Sequence, residues 1–206
     1  EELKEIARLA VKHNLFIVTD EMYEYFTFDG KTHVSIGSFP EVSDRTISVF
    51  GVSKSYAMTG WRIGYIVAKK KIIEQIFKIH DSLVTCPTAV SQYAALAALT
   101  EPQDIVEMYK KSFEKRRQIV IDELAKTDKL QLSIPQSAYY AFPKILKKIH
   151  EEVFVLDLIK KAKVAVIAGS AFGKGGENHI RISFGGEEGS LREGLRRLVA
   201  YLKNNS

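Results

Sequence analysis

The stretch SVFGVSKSYAMTGWRIGYIVA, residues 48–68, sets one lysine, Lys54, just behind a β-branched and aromatic run, and an arginine, Arg62, after a Met-Thr-Gly turn. Lys54 stands among Gly51, Ser53 and Ser55, small residues beside which a bulky planar group can approach the backbone. A nucleophilic lysine must lose its proton near neutral pH. Desolvation at the edge of an apolar sheet favours that loss, at about 1.36 kcal/mol for each pKa unit. Arg62 offers a planar guanidinium suited to gripping a phosphate through paired hydrogen bonds. A third group comes from earlier in the chain, where Asp20 closes the apolar run LFIVTD. Ligands of open α/β sheets collect beyond the carboxyl ends of parallel strands. If the strands of Asp20 and Lys54 are parallel neighbours, a carboxylate and an amine face one crevice; a plain Asp–Lys ion pair at a strand edge is the alternative. Lysine, phosphate-gripping arginine and buried carboxylate together suit a phosphorylated aldehyde cofactor.

Those residues need a frame. Leu3, Ile6, Ala7 and Ala10 repeat at helical spacing and predict an opening amphipathic helix. The chain starts without an initiator methionine or an N-cap residue, and near-continuous apolar runs follow at 15–20, 46–50 and 63–68. Such runs predict strands covered on both faces in an α/β layer architecture. Three strands make a poor sheet, so further strands are expected elsewhere. Helical patterns occupy 70–82, 88–99 and 102–127, with Pro102 suited to a first helical turn. Beyond Leu130 the segments LQLSI, AYYAF, VAVIA and HIRISF predict short strands, with helices at 153–163 and 190–204. The expected division is 1–127, ending on a long interdomain helix, and a smaller α+β domain over 128–206.

With the motifs in place, a family resemblance becomes specific. SKSYAMTGWRIGY closely resembles the lysine motif of the class I/II aminotransferases, pyridoxal-phosphate enzymes of fold type I, and IVTDEMYEYF resembles their D-E-x-Y segment. PQSAYYAFP resembles their P-x-G-A-F-Y-x-F-P stretch, and VAVIAGSAFG followed by HIRISF resembles their V-x-V-x-P-G-x-x-F-G and arginine motifs. Order and spacing match over essentially the whole chain, in the manner of the aspartate and aromatic aminotransferases. The resemblance implies the C-terminal part of a large cofactor domain, a mostly parallel sheet with helices on both faces, followed by a small α+β domain. It implies that pyridoxal 5′-phosphate is held covalently by Lys54, that Asp20 binds the pyridine nitrogen, that Tyr23 donates to the 3′-oxygen, and that Arg62 holds the phosphate with Ser53 as a second contact. Arg181 would clamp the substrate carboxylate; without the resemblance it reads as an outward strand residue in a surface salt bridge. The implied substrates are an amino acid and a 2-oxo acid, and the implied assembly is a homodimer with active sites at the interface. Family elements that form the phosphate cup and the face stacking on the cofactor ring have no counterpart in these residues. Gly51 stands where many members carry serine, Ser137 where glycine is usual and Ala168 where proline is usual. A carbon–sulfur lyase of the same fold shares Lys54, Asp20 and Arg62, and a non-catalytic association module is a reading from another class.

Composition excludes other classes. The chain has 206 residues, 46% of them hydrophobic, and its net charge of +5 is the difference between 30 Lys+Arg and 25 Asp+Glu. The clusters Lys110-Lys111, Lys115-Arg116-Arg117, Lys147-Lys148 and Arg196-Arg197 have acidic neighbours and no interleaved aromatics, which predicts solvated helix faces and no nucleic-acid surface. No apolar run reaches membrane-spanning length and the N-terminus does not resemble a secretory signal, so a cytoplasmic location is expected. Cys86, the one cysteine, reads as a buried small hydrophobe. Tyr140 and Lys144 have the spacing of a short-chain dehydrogenase pair, but Pro143 between them forbids a regular helix. Gly173-Lys174-Gly175-Gly176 lacks the ending of a phosphate loop, and His13, His33, His80, His150 and His179 have no ligand spacing, so no metal site is expected.

Overall fold

Helix α1 (Glu2–Lys12) forms because its small apolar residues share a face: Ala7 and Ala10 are buried, while Arg8 pairs with Glu5 at 2.6 Å in solvent. Asn14, in the left-handed conformation at φ 51°, turns the chain out of the helix toward strand β1 (Ile17–Asp20). The computed structural model describes residues 1–147 and 149–204, so Lys148 of the Lys147-Lys148 cluster lies outside the described residues. The chain forms two compact units, Glu1–Tyr109 and Lys110–Ser206.

In the first unit, β1, β2 (Thr46–Gly51) and β3 (Gly64–Val67) make a sheet in that order. β1 runs parallel to β2 with Asp20 opposite Val49, whereas β3 runs antiparallel to β2 with Gly64 opposite Gly51. A parallel pair needs a long crossover. The one here carries a 3-10 turn at Ile36–Ser38, whose N-cap Ser35 accepts a hydrogen bond from the Gly37 amide at 3.3 Å. Glycine suits that point, because a Cβ on Gly37 would come within 2.6 Å of Ser48 Oγ on β2 and force it to move. Ile36 and Val42 from the crossover pack with Ala7 and Ala10 of α1, and Leu3, Ile17 and Phe39 pack around them. Helices α2 (Lys70–Leu83), α3 (Ala89–Thr100) and α4 (Asp104–Leu124) follow.

Several expectations change here. Val18 on β1 is 69% exposed and all of β3 is exposed, so these runs are apolar without being covered on both faces by described residues. Cys86 is exposed rather than buried, in a segment next to α2, a helix with no buried residue at all. Pro102 precedes α4 instead of entering its first turn. α4 runs through the boundary between the two compact units at Tyr109.

The second unit contains β4 (Leu130–Gln131), β5 (Tyr140–Ala141), β6 (Lys144–Ile145), α5 (Glu151–Ala162), β7 (Ile167–Ala168), β8 (Ile180–Ser183) and α6 (Glu188–Asn204). β4 pairs with β6, and β5 and β7 flank β8, all antiparallel. β6 is too short and too proline-bound to announce itself in sequence. Tyr140 and Lys144 thus belong to separate strands in separate sheets. Leu195, Leu198, Val199 and Leu202 form the buried stripe of α6. Arg117 corrects the picture of solvated cations: it is only 8% exposed and its Nε donates to the Pro135 carbonyl at 2.6 Å. Arg197 and Arg196 behave as expected, both paired to Glu193 in solvent. No described helix is long and apolar enough to cross a membrane.

Leu158 of α5 is fully buried. Leu158→Ala should lower unfolding stability by about 2–5 kcal/mol through lost burial and a cavity. Denaturant titration measures this, and a loss under about 1 kcal/mol would mean that the site collapses around the deletion.

Candidate active site

The β1–β2 register decides the site. Asp20 ends β1 opposite Val49, two residues before β2 ends at Gly51, and Lys54 follows in the next turn. Parallel pairing therefore brings carboxylate and amine to the same end of the sheet. The antiparallel return does the same for Arg62, which lies just before Gly64, the partner of Gly51. Two glycines face each other there for a steric reason: a Cβ on Gly64 would meet the Phe50 carbonyl at 2.7 Å, and one on Gly51 would meet the Met22 sulfur at 2.9 Å. A serine at position 51 would require the Met22 thioether to shift.

Lys54 is half-buried in a turn where the Tyr56 amide donates to the Val52 carbonyl at 3.2 Å. Its amine makes no hydrogen bond or ion pair among the described residues, so the Asp–Lys ion pair does not form. Asp20 is exposed rather than buried, and among the described residues its Oδ1 accepts only from the Met22 amide at 3.1 Å. Tyr23 is half-buried in the following turn, with its carbonyl accepting from the Phe26 amide at 3.0 Å. Ser53 is half-buried beside Lys54. Arg62 is exposed and sits in the left-handed region at φ 51°, ψ 48°, with one guanidinium nitrogen donating to the Thr59 carbonyl at 2.7 Å. A non-glycine residue in that region carries about 1–3 kcal/mol of strain, the kind that accumulates at ligand-gripping turns.

Arg181 belongs to the second unit. It makes no salt bridge among the described residues. Its guanidinium carbon lies 4.5 Å from the Tyr140 ring centroid and 4.9 Å from that of Phe172. Its Nε is buried and without a partner among the described residues. A buried donor left unpaired costs about 1–3 kcal/mol, so this one is suited to an incoming acceptor such as a carboxylate. The free Lys54 amine and the lightly engaged Asp20 fit a cofactor that brings its own acceptor and donor.

The sequence profile described as aminotransferase class I and II matches residues 1–198. The chain belongs to that family. Over 205 residues it is 39% identical to aromatic-amino-acid aminotransferase 2 of Thermococcus litoralis and 40% identical to aspartate aminotransferase of Pyrococcus abyssi. Both alignments take in 98% of this chain and 52% of the relative, so the chain spans about half the length of these curated relatives. The solved aromatic aminotransferase of Pyrococcus horikoshii OT3 superposes with a TM-score of 0.94 at 39% identity, over 98% of this chain and 55% of that one. The aspartate aminotransferase of Rhizobium meliloti gives 0.88 at 33% identity, over 94% and 51%. The fold is that of the fold type I aminotransferases. At two of the three departures from the family pattern, Ala138, beside Ser137, is left-handed at φ 60°, and Ala168 has a proline-like φ of −60°.

Three polar groups, two of them buried and Tyr56 half-buried, escape the sequence reading. Glu21, next to Asp20, is 4% exposed and is reached by Ser35 Oγ at 2.7 Å, Thr19 Oγ1 at 3.3 Å and His33 Nε2 at 2.5 Å. Tyr56 donates to Gln103 Oε1 at 2.6 Å, and burial pushes its phenol far above the ordinary range. Glu151, 8% exposed at the start of α5, accepts hydrogen bonds from the amides of Ser170, at 2.8 Å, and Asn178. No periodic pattern marks any of the three, and only the acidic pair Asp20-Glu21 was visible.

Burial raises the Glu151 carboxyl, but hydrogen bonds from Ser170 and Asn178, with the nearby His179, outweigh it and leave the group below its ordinary value of 4.5. A depressed folded value contributes stability above the unfolded value and loses it as pH falls through the folded one. Glu151→Gln should therefore unfold at a lower temperature than wild type at neutral pH, with the gap closing below about pH 4.5. Calorimetric scans across that range check this, and a pH-independent gap would assign the effect to shape and not charge.

Proposed function

We propose that the complete protein is a pyridoxal-phosphate-dependent aminotransferase that exchanges an amino group between an amino acid and a 2-oxo acid. The observation that carries this is the convergence of Asp20, Lys54 and Arg62 at one end of a single sheet. Membership of the family supports it, as do relatives named for this activity. When bound, pyridoxal 5′-phosphate supplies an electrophilic aldehyde and an electron-withdrawing ring. Lys54 binds it covalently and moves the proton at the substrate α-carbon. Asp20 keeps the ring nitrogen protonated through a charge-assisted hydrogen bond, worth about 1.5–3 kcal/mol. Tyr23 donates to the 3′-oxygen, Arg62 grips the phosphate with help from Ser53, and Arg181 receives the substrate carboxylate. Residues 1–127 serve as part of the cofactor domain and 128–206 as the small domain of a cytoplasmic homodimer. Relatives named for aromatic amino acids and for aspartate match almost equally, at 39% and 40% identity, so the proposal names a substrate class and no single side chain.

Lys54→Ala in the complete protein should abolish transamination while leaving the melting temperature near wild type. Borohydride reduction of the loaded wild type, followed by peptide mass mapping, should place the pyridoxyl group on Lys54 in preference to Lys69, Lys70 and Lys71. Retained turnover, or a label spread over those surface lysines, would refute the assignment.

Asp20→Ala should retain cofactor and lose about 10²–10³-fold in kcat, the scale for removing one group that stabilises developing charge. A fall confined to cofactor affinity would remove the electronic role. A well-folded complete protein inert toward every amino donor would favour the association module.

A further inference from the structure

Glu151 is a buried carboxylate with no part in the chemistry above. Its two oxygens take the amides of Ser170 and Asn178, which lie on opposite arms of one loop. The first arm leads to Phe172 and the second, through His179, to β8 and Arg181. The loop is drawn tight at its neck. Gly169 donates to the His179 carbonyl at 2.8 Å, and a Cβ on Gly169 or Gly176 would overlap the other's carbonyl. Asn178 sits in the left-handed region at φ 60° and accepts from the Ile149 amide at 3.4 Å. Phe172 lies against the Arg181 guanidinium at 4.9 Å and meets Phe142 edge-on at 5.8 Å.

We infer that Glu151 is a positioning residue for substrate-carboxylate binding: by tying both arms of the 169–178 loop to α5, it fixes Phe172 and Arg181 relative to each other. The inference rests on the role proposed for Arg181 and adds the group that holds it. A guanidinium set against aromatic rings keeps its in-plane N–H groups for an acceptor, and the unpaired Nε is such a group. That arrangement holds only while Phe172 stays in place, and Phe172 itself is half exposed, so its position depends on the loop. Both oxygens are needed. A carboxylate accepts two amides at once, whereas a glutamine offers one acceptor and sets an NH2 against the other donor.

The test compares Glu151→Gln with Leu158→Ala, which softens the same helix and leaves the carboxylate alone, in the complete protein loaded with pyridoxal phosphate. Loss of one charge-assisted hydrogen bond should raise KM for every amino donor about tenfold in Glu151→Gln, with kcat nearly unchanged. The same factor should appear in the dissociation constant of 3-phenylpropionate, a carboxylate that cannot react, and amide hydrogen exchange should quicken at Ser170 and Asn178. Leu158→Ala should leave both constants in place. If Glu151→Gln does not accumulate as folded protein, Glu151→Asp keeps the charge with a shorter reach and should show the same shifts in smaller size. Equal KM shifts in Glu151→Gln and Leu158→Ala would overturn the inference, as would faster exchange at the two amides with carboxylate affinity intact. Arg181→Lys separates the two levels: if it leaves 3-phenylpropionate binding unchanged, the role of Arg181 falls and this inference with it. If it weakens binding while Glu151→Gln does not, only the inference falls.

Discussion

Asp20 faces Val49 across a parallel pair of strands, and the first unit is arranged around that register. In a parallel pair both carboxyl ends point the same way, so whatever follows each strand meets at one rim. A one-residue slip would exchange the faces of β1 and move Asp20 away from the turn of Lys54. The register is held from both sides. The Glu21 amide continues the pairing by donating to the Val49 carbonyl at 2.9 Å, while the crossover buries Ile36 and Val42 against α1. The buried Glu21 carboxylate then ties the start of the turn to Ser35 and His33, so the residues flanking Asp20 are fixed by polar contacts as well as by the sheet.

The second unit solves a different problem. A guanidinium in an apolar sheet needs compensation, and Arg181 obtains part of it from the faces of Tyr140 and Phe172 and leaves its Nε unpaired. Arg117, also buried, is compensated by a backbone carbonyl instead. That difference separates a structural arginine from one open to a ligand. Tyr140 and Phe172 come from distant segments, brought beside Arg181 because β5 pairs with β8 and because the loop before β8 folds back on itself.

Apolar surface is unevenly distributed in the first unit. α2 has no buried residue, and Phe77, Leu83, Tyr93 and Val18 are all exposed although their residue types are those of a core. Curated relatives are about twice as long as this chain. Asp20, Lys54 and Arg62 all lie at or beside strand ends at one end of the first unit's sheet, the arrangement on which the proposed function rests.

Much of this was legible from residues alone. The lysine motif, the D-E-x-Y turn and the HIRISF strand are local stretches whose order and spacing carry the family resemblance, and it is through that resemblance that Arg181 and Tyr23 acquired expected roles. Apolar periodicity likewise revealed α1, α5 and α6, because one buried stripe leaves a repeat in sequence. Burial was not legible, since it depends on what lies opposite. The same apolar composition that marked β1 and β3 as strands could not say that their faces are open, nor that Cys86 is exposed and Arg117 enclosed. The direction of β3, the closing of the Gly169–Asn178 loop onto Glu151 and the aromatic setting of Arg181 were decided by tertiary structure alone. Each joins residues far apart in the chain through contacts that leave no periodic trace, and such contacts exist only once the chain has folded.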